Sequence, residues 1–141
     1  MSGEGFVLDA SALIAIIAKE GGWKTVNKIL ATGNAVTTPI ALAETFQVAK
    51  RKFGFRSDEV RSALVGLGLN VEDIIDADAD EIAFIQERAA IAAAKIGANR
   101  QLSMADAACL ALGKRLGARV IFSDSFWEIV DLAGIKALPF R

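Results

Sequence analysis

Four carboxylates, Asp9, Glu44, Asp106 and Asp124, are the residues of this chain best placed to do chemistry. Asp9 interrupts the apolar stretch "GFVLDASALIA", Glu44 lies in "PIALAETF", and Asp106 lies in "SMADAACLAL". Apolar surroundings of that kind do not suit a solvated helix face. Each residue also has a local structural role open to it: Asp9 and Asp124 as helix caps, Asp106 as a complement to the helix dipole, Glu44 as an exposed helix residue. Gathered together without a cation, carboxylates repel one another, which raises pKa values and costs stability. A bound divalent cation removes that conflict. Oxygen ligands with no His or Cys among them favour Mg²⁺ or Mn²⁺ over zinc.

The rest of the composition narrows the choice. With no histidine in the chain, imidazole bases, Ser-His-Asp or Cys-His nucleophile pairs and His-containing zinc sites are excluded within one subunit. The single cysteine, Cys109, has no internal disulfide partner and lies in an apolar helical stripe, where an inert core thiol is expected. The residues Met1 to Gly5 lack the basic head and cleavage pattern of a signal peptide, and no apolar run is long enough for a bilayer, so a reducing cytosol is the expected compartment. A length of 141 residues with 53% hydrophobic content fits a single domain over residues 1–141 with a substantial core. The net charge of −1 offers no overall attraction to an anionic polymer, so a nucleic-acid role requires locally clustered cations. Lys50, Arg51, Lys52, Arg56 and Arg61 form the densest such cluster, which also suits a solvated helix end. Trp23, Phe53, Phe55 and Trp127 suit base stacking, core packing or a subunit interface.

Periodicity supplies the elements that must position the carboxylates. Strands are predicted at Phe6–Leu8, Ala35–Thr37, Val71–Ile75, Arg119–Phe122 and Ile135–Leu138 from short apolar and β-branched runs. Helices are predicted over Ser11–Lys19, Trp23–Leu30, Ile40–Phe53 opened by Pro39, Asp58–Leu67 capped by Ser57, Asp80–Ile96, Met104–Leu116 capped by Ser103, and Ser125–Leu132, from composition and end signals. Strand and helix alternate throughout, which implies an α/β fold: a three-layer α/β/α sandwich around a central parallel sheet. In such sheets the functional crevice lies beyond the carboxyl ends of the strands. Asp9 and Asp124 follow strands, and Glu44 and Asp106 sit early in helices that start at that same edge, so four separate connections converge on one cleft. The acidic run Asp76 to Glu87 resembles a calcium loop in spacing, but Glu81 stands where the loop needs glycine, and it reads instead as helix-start acidity. No glycine-rich phosphate loop follows the first strand. An aspartyl phosphotransferase would carry a second Asp where Ser11 stands.

In order along the chain, "FVLDASALIA", the Glu of "TTPIALAETFQVAKR", "LSMADAACLALGKRLGARVIFSD" and the Trp of "SDSFW" resemble the successive motifs of the PIN-domain ribonucleases, and within them the VapC-like toxins of bacterial toxin–antitoxin pairs. The resemblance implies a Mg²⁺- or Mn²⁺-dependent endoribonuclease with Asp9, Glu44, Asp106 and Asp124 as metal-binding carboxylates, and with Ser11 giving a supporting hydrogen bond unless it is only a first-turn helix serine. Chemistry of that kind needs carboxylates and metal in place of a histidine base. The resemblance further implies an RNA substrate such as tRNA or rRNA, a homodimer, and a small antitoxin whose segment enters the acidic cleft. Many relatives carry threonine where this chain has Phe122, with Ser123 and Ser125 the nearest hydroxyls. Two contrasting readings stand beside it: a non-catalytic metal- or partner-binding module of the same fold, and a metal-dependent phosphatase or DNA nuclease.

Overall fold

The computed structural model describes residues 5–123, 135 and 137–141. Along the chain run β1 (Phe6–Leu8), α1 (Ala10–Ala18), α2 (Trp23–Ala31), β2 (Ala35–Thr37), α3 (Pro39–Phe53), α4 (Ser57–Gly66), β3 (Asn70–Val71), α5 (Asp76–Lys95), α6 (Met104–Leu116), β4 (Arg119–Phe122) and β5 (Ala137–Pro139). The predicted helix Ser125–Leu132, with Asp124 and Trp127, lies outside the described residues. No described helix is long and apolar enough to cross a membrane.

The five described strands form one parallel sheet in the order β3-β2-β1-β4-β5. From β1 the chain works outward through β2 and β3, then returns to β4 on the other side of β1. The reversal of direction lies between β1 and β4, where open α/β sheets place their ligand crevice. Their register pairs Val7 with Val120 and Leu8 with Ile121.

Successive strand residues point to opposite faces, and the core divides accordingly. Val7, Val120 and Phe122 pack with Ile82, Ile85, Leu110 and other residues of α5 and α6. Leu8 and Ile121 pack on the opposite face with α1, α2 and α4, through Leu13, Ile16, Val26 and Leu64. Helix α3 spans both clusters, giving Ala41 to the first and Leu42 and Ala49 to the second. The result is the expected α/β/α sandwich.

Three of the boundaries that differ from the sequence reading have an identifiable cause. The β-branched run Val71–Ile75 contributes only Val71 to the two-residue β3, because the Asp78 carboxylate accepts from the Ile75 N–H at 3.0 Å and starts α5 at Asp76, four residues before the predicted Asp80. Ser57 is the first helical residue of α4 and not its cap: Arg56 takes the cap place, and the Glu59 carboxylate accepts from the Arg56 N–H at 3.1 Å. The last strand is Ala137–Pro139 in place of Ile135–Leu138, its proline tolerated because β5 is an edge. Asp76 to Glu87 is helical, in keeping with helix-start acidity.

Helix α6 reaches the sheet through Gly113, where a Cβ would clash with the Val120 side chain and press on the Ala118 carbonyl oxygen at 3.3 Å. This closeness sets the helix that carries Asp106 against β4. Helix propensity alone favours alanine over glycine by about 1 kcal/mol, whereas overpacking a core costs about 1–3 kcal/mol. Gly113→Ala is therefore expected to destabilise the fold, and a urea midpoint above that of the unmodified chain would contradict this account of the α6–β4 contact.

Candidate metal centre at the carboxyl edge of the sheet

Asp9 stands at the reversal point. Its N–H donates to the Ile121 carbonyl at 3.2 Å, closing the β1–β4 ladder, and its extended backbone (φ −80°, ψ 175°) then caps α1. The carboxylate Oδ1 accepts from the Ala12 N–H at 2.8 Å and from the Ser11 hydroxyl at 2.6 Å. Among the described residues Oδ2 accepts no hydrogen bond. The helix it caps, "ASALIAIIA", buries Ala10, Ala12, Leu13, Ala15 and Ile16, which draws its capping residue into the interior; Asp9 is only 4% exposed. The cap and the cluster, alternatives in the sequence, coexist on one side chain.

Burial is the main reason that the Asp9 carboxyl is pushed up to about 7. The Ser11 and Ala12 bonds oppose the rise, and the negative charges of Asp106 and Glu44 add to it. Asp106 lies half-buried in the first turn of α6, where its N–H donates to the Ser103 hydroxyl at 3.0 Å. Glu44 is exposed on the second turn of α3. Both charges are felt at Asp9, yet among the described residues no group of three His, Cys, Asp or Glu is placed to hold an ion as it stands. Asp124 is outside the described residues.

Several contributors escaped the sequence reading. Thr37, fully buried at the end of β2, donates its hydroxyl to the Leu8 carbonyl at 2.7 Å and so fixes the residue before Asp9. Thr38 caps α3 through the Ala41 N–H at 3.0 Å, and Thr45 donates back to the Ala41 carbonyl at 2.8 Å. The pair "TT" before Pro39 was the available signal, since a hydroxyl residue preceding an N1 proline marks a helix start. Cys109 is fully buried one turn beyond Asp106. Burial, then the Asp9 and Asp106 charges, push its thiol well above the ordinary range, which fits inert core. Phe122 is 1% exposed, in the core beneath the edge.

The family model for the PIN domain matches residues 6–131, a span that contains all four candidate carboxylates. This chain belongs to the PIN domain family. The PIN fold is similar to that in the crystal structure of DNA-bound VapBC from Salmonella typhimurium, at 15% identity over 99% of this chain and 100% of that chain, with a TM-score of 0.64. It is also similar to Mycobacterium tuberculosis VapC20, a sarcin-ricin loop cleaving toxin, at 18% identity over 93% of this chain and 98% of that one (TM-score 0.62). A toxin–antitoxin complex from Klebsiella pneumoniae matches at 17% identity over 97% and 98% of the two chains (TM-score 0.62). No curated protein sequence matches this PIN chain.

The raised Asp9 pKa has a definite sign. Its folded value of about 7 lies above the ordinary 3.8, so the fold binds a proton that the unfolded chain releases. The associated stability is fully present below pH 3.8 and is lost as pH rises through about 7, by at most about 4 kcal/mol. In chelator, the melting temperature is expected to fall between pH 5 and pH 8, and less so in Asp9→Asn, which keeps an oxygen for the cap. Equal falls in both proteins would contradict the assignment.

Proposed function

We propose that this PIN domain is a Mg²⁺- or Mn²⁺-dependent endoribonuclease that hydrolyses RNA phosphodiesters, acts as a homodimer, and is held in check by a small antitoxin. The observation that carries the reading is Asp9: a buried carboxylate at the sheet's reversal point, within the field of Asp106 and Glu44, with Oδ2 taking no hydrogen bond among the described residues. Such an arrangement fits a cation. Asp9, Glu44, Asp106 and, by its place after β4 in the sequence, Asp124 are the residues that would hold it. An all-oxygen donor set suits a hard ion, and Cys109 is buried in the core. When bound, a divalent ion lowers the pKa of water and neutralises charge on the phosphate and leaving oxygen.

The chain's own residues prepare that site. Ser11 and the Ala12 N–H hold Oδ1 in place, which leaves the other oxygen for the ion. Thr37 and the Asp9–Ile121 bond hold the carbonyl and the N–H of the Leu8–Asp9 peptide, the backbone just before the carboxylate. Burial of Asp9 lowers the local dielectric and strengthens its attraction for a cation. The toxin of similar fold that cleaves the sarcin-ricin loop supports an RNA substrate, and the VapBC and toxin–antitoxin complexes support the antitoxin. Exposed Phe84, Ile91, Ile96 and Met104 on α5, α6 and the residue after α5 offer apolar surface suited to a second subunit.

Phe122 favours one contrasting reading, a non-catalytic binding module of the same fold. Its buried ring supplies no hydroxyl where relatives often carry threonine, and Ser123 is the next described hydroxyl. Cleavage of a mixed cellular RNA pool with Mg²⁺, with Mn²⁺ and with chelator separates the two. The nuclease reading predicts metal-dependent cuts that Asp9→Asn reduces by about 100-fold or more, since even partners one step removed from a metal are worth about 10–100-fold. Ser11→Ala, which removes one of the two hydrogen bonds on Oδ1 and leaves that from the Ala12 N–H, is expected to lose about tenfold and to need more metal for half-maximal rate. Metal-dependent thermal stabilisation without any RNA cleavage would move the assignment to the binding module.

A further inference from the structure

The segment Lys50-Arg51-Lys52-Phe53-Gly54-Phe55-Arg56 sets four cations and two aromatic rings in seven residues with no acid among them. In a chain of net charge −1, a local concentration of this kind is what an anionic polymer would find. Gly54, at φ 71°, ends α3 and turns the chain, its N–H bonded to the Lys50 carbonyl at 3.0 Å. The turn sets the Phe53 and Phe55 rings side by side, 5.7 Å between centroids, and leaves them 41% and 39% exposed. Lys50, Arg51 and Lys52 make no ion pair among the described residues; the nearby acids Asp58 and Glu59 face Arg56 instead.

Beside the rings lies an open groove of about 380 Å³, lined by Phe46, Gln47, Lys50, Phe55 and Arg56 and by Asp58, whose charge Arg56 pairs. Arg61 stands 5.3 Å from the Phe46 ring centroid and adds a fifth cation. Helix α3 carries both Gln47, which lines the groove, and Glu44, one of the candidate carboxylates. Residues three and seven apart share a helix face, so exposed Glu44, Gln47 and Arg51 form one stripe about 10 Å long. That is about three stacked nucleotides. The helix dipole accounts for cations at the end of α3. It gives no reason for two exposed rings beside them, or for a groove whose Gln47 lies one helical turn from Glu44.

We propose that this groove is a subsite for single-stranded RNA flanking the cleaved phosphodiester, with Lys50 in the groove and Arg51 and Lys52 beside it at the end of α3 meeting the phosphates, and an unpaired base stacked on Phe55. The inference rests on the RNA-nuclease reading. Charge favours a polyanion over a protein segment, and the exposed ring faces favour an unpaired base over a duplex. The cations would also offset the repulsion that the acidic edge exerts on a phosphate chain.

Fluorescence anisotropy of the full chain with a labelled, unstructured RNA of about a dozen nucleotides, in chelator and across about 50–200 mM salt, tests it. The triple variant Lys50→Gln/Arg51→Gln/Lys52→Gln is expected to bind about tenfold or more weakly, with the slope of log affinity against log salt reduced by about 2. Phe55→Ala is expected to lose about tenfold, and the charge-keeping Lys50→Arg/Lys52→Arg to bind as the unmodified chain does, each with an unchanged circular dichroism spectrum. In Mg²⁺ the first two should raise KM and leave kcat in place. Unchanged RNA affinity in the triple variant, while the unmodified chain still cleaves RNA, would overturn the subsite and leave the nuclease standing. Loss of RNA binding in the variants with no cleavage by the unmodified chain in either metal would sustain RNA binding at this groove but reject the nuclease and, with it, the groove's place beside a cleaved phosphodiester. No RNA binding by the unmodified chain, or variants that lose a protein partner but not RNA, would also overturn the subsite.

Discussion

The structure depends on one carboxylate placed where burial disfavours it. Asp9 joins the centre of the sheet to an almost wholly apolar helix, and both sides pull it inward: Leu8 and Val7 are fully buried before it, and Ala12 and Leu13 after it. Its Oδ1 is compensated by two hydrogen bonds, which is why the fold can tolerate the residue at all. Its charge is compensated by neither Asp106 nor Glu44, which repel it. A site that destabilises its own ionised form in the absence of a cation gains most when a cation arrives.

Positioning of that carboxylate follows from the two-residue period of the strands. Val7 and Leu8 serve opposite cores, as do Val120 and Ile121, so a slip of one residue in β1 or β4 would exchange both cores at once. Register is fixed by that cost, and it sets Asp9, the residue after β1, beside Ile121 of β4. Layers on the two faces then contribute the other charges from separate connections: α3, which reaches both cores, brings Glu44, and α6, pressed onto β4 at Gly113, brings Asp106.

Much of this was legible in the sequence because the informative interactions are local. The strand β1, the cap at Asp9, the proline opening of α3 and the serine cap at Ser103 are each set by residues within four positions of one another. What was illegible came from partners far along the chain. Val71 to Ile75 has a strand's composition, but Arg115 on α6 grips Asp78 at 3.1 and 3.2 Å and the Asp73 carbonyl at 3.0 Å, tying that stretch into the start of α5. No local window contains that arginine. The same holds for Thr37, whose acceptor is 29 residues away, and for the misplaced cap at Ser57, where Glu59 competes for the backbone N–H one residue earlier. The family resemblance read from four motifs agrees with the PIN match over residues 6–131; the roles of the individual carboxylates rest on the physical argument for Asp9.

The most direct test of that argument is the proton released when metal binds. Calorimetric titration of Mn²⁺ into the protein at pH 6.5, in buffers of differing ionisation enthalpy, counts it. If a cation binds at Asp9, a substantial fraction of about one proton leaves per ion, and Asp9→Asn abolishes both the release and most of the affinity. Binding that releases no proton and survives Asp9→Asn unchanged would place the ion elsewhere and contradict the account.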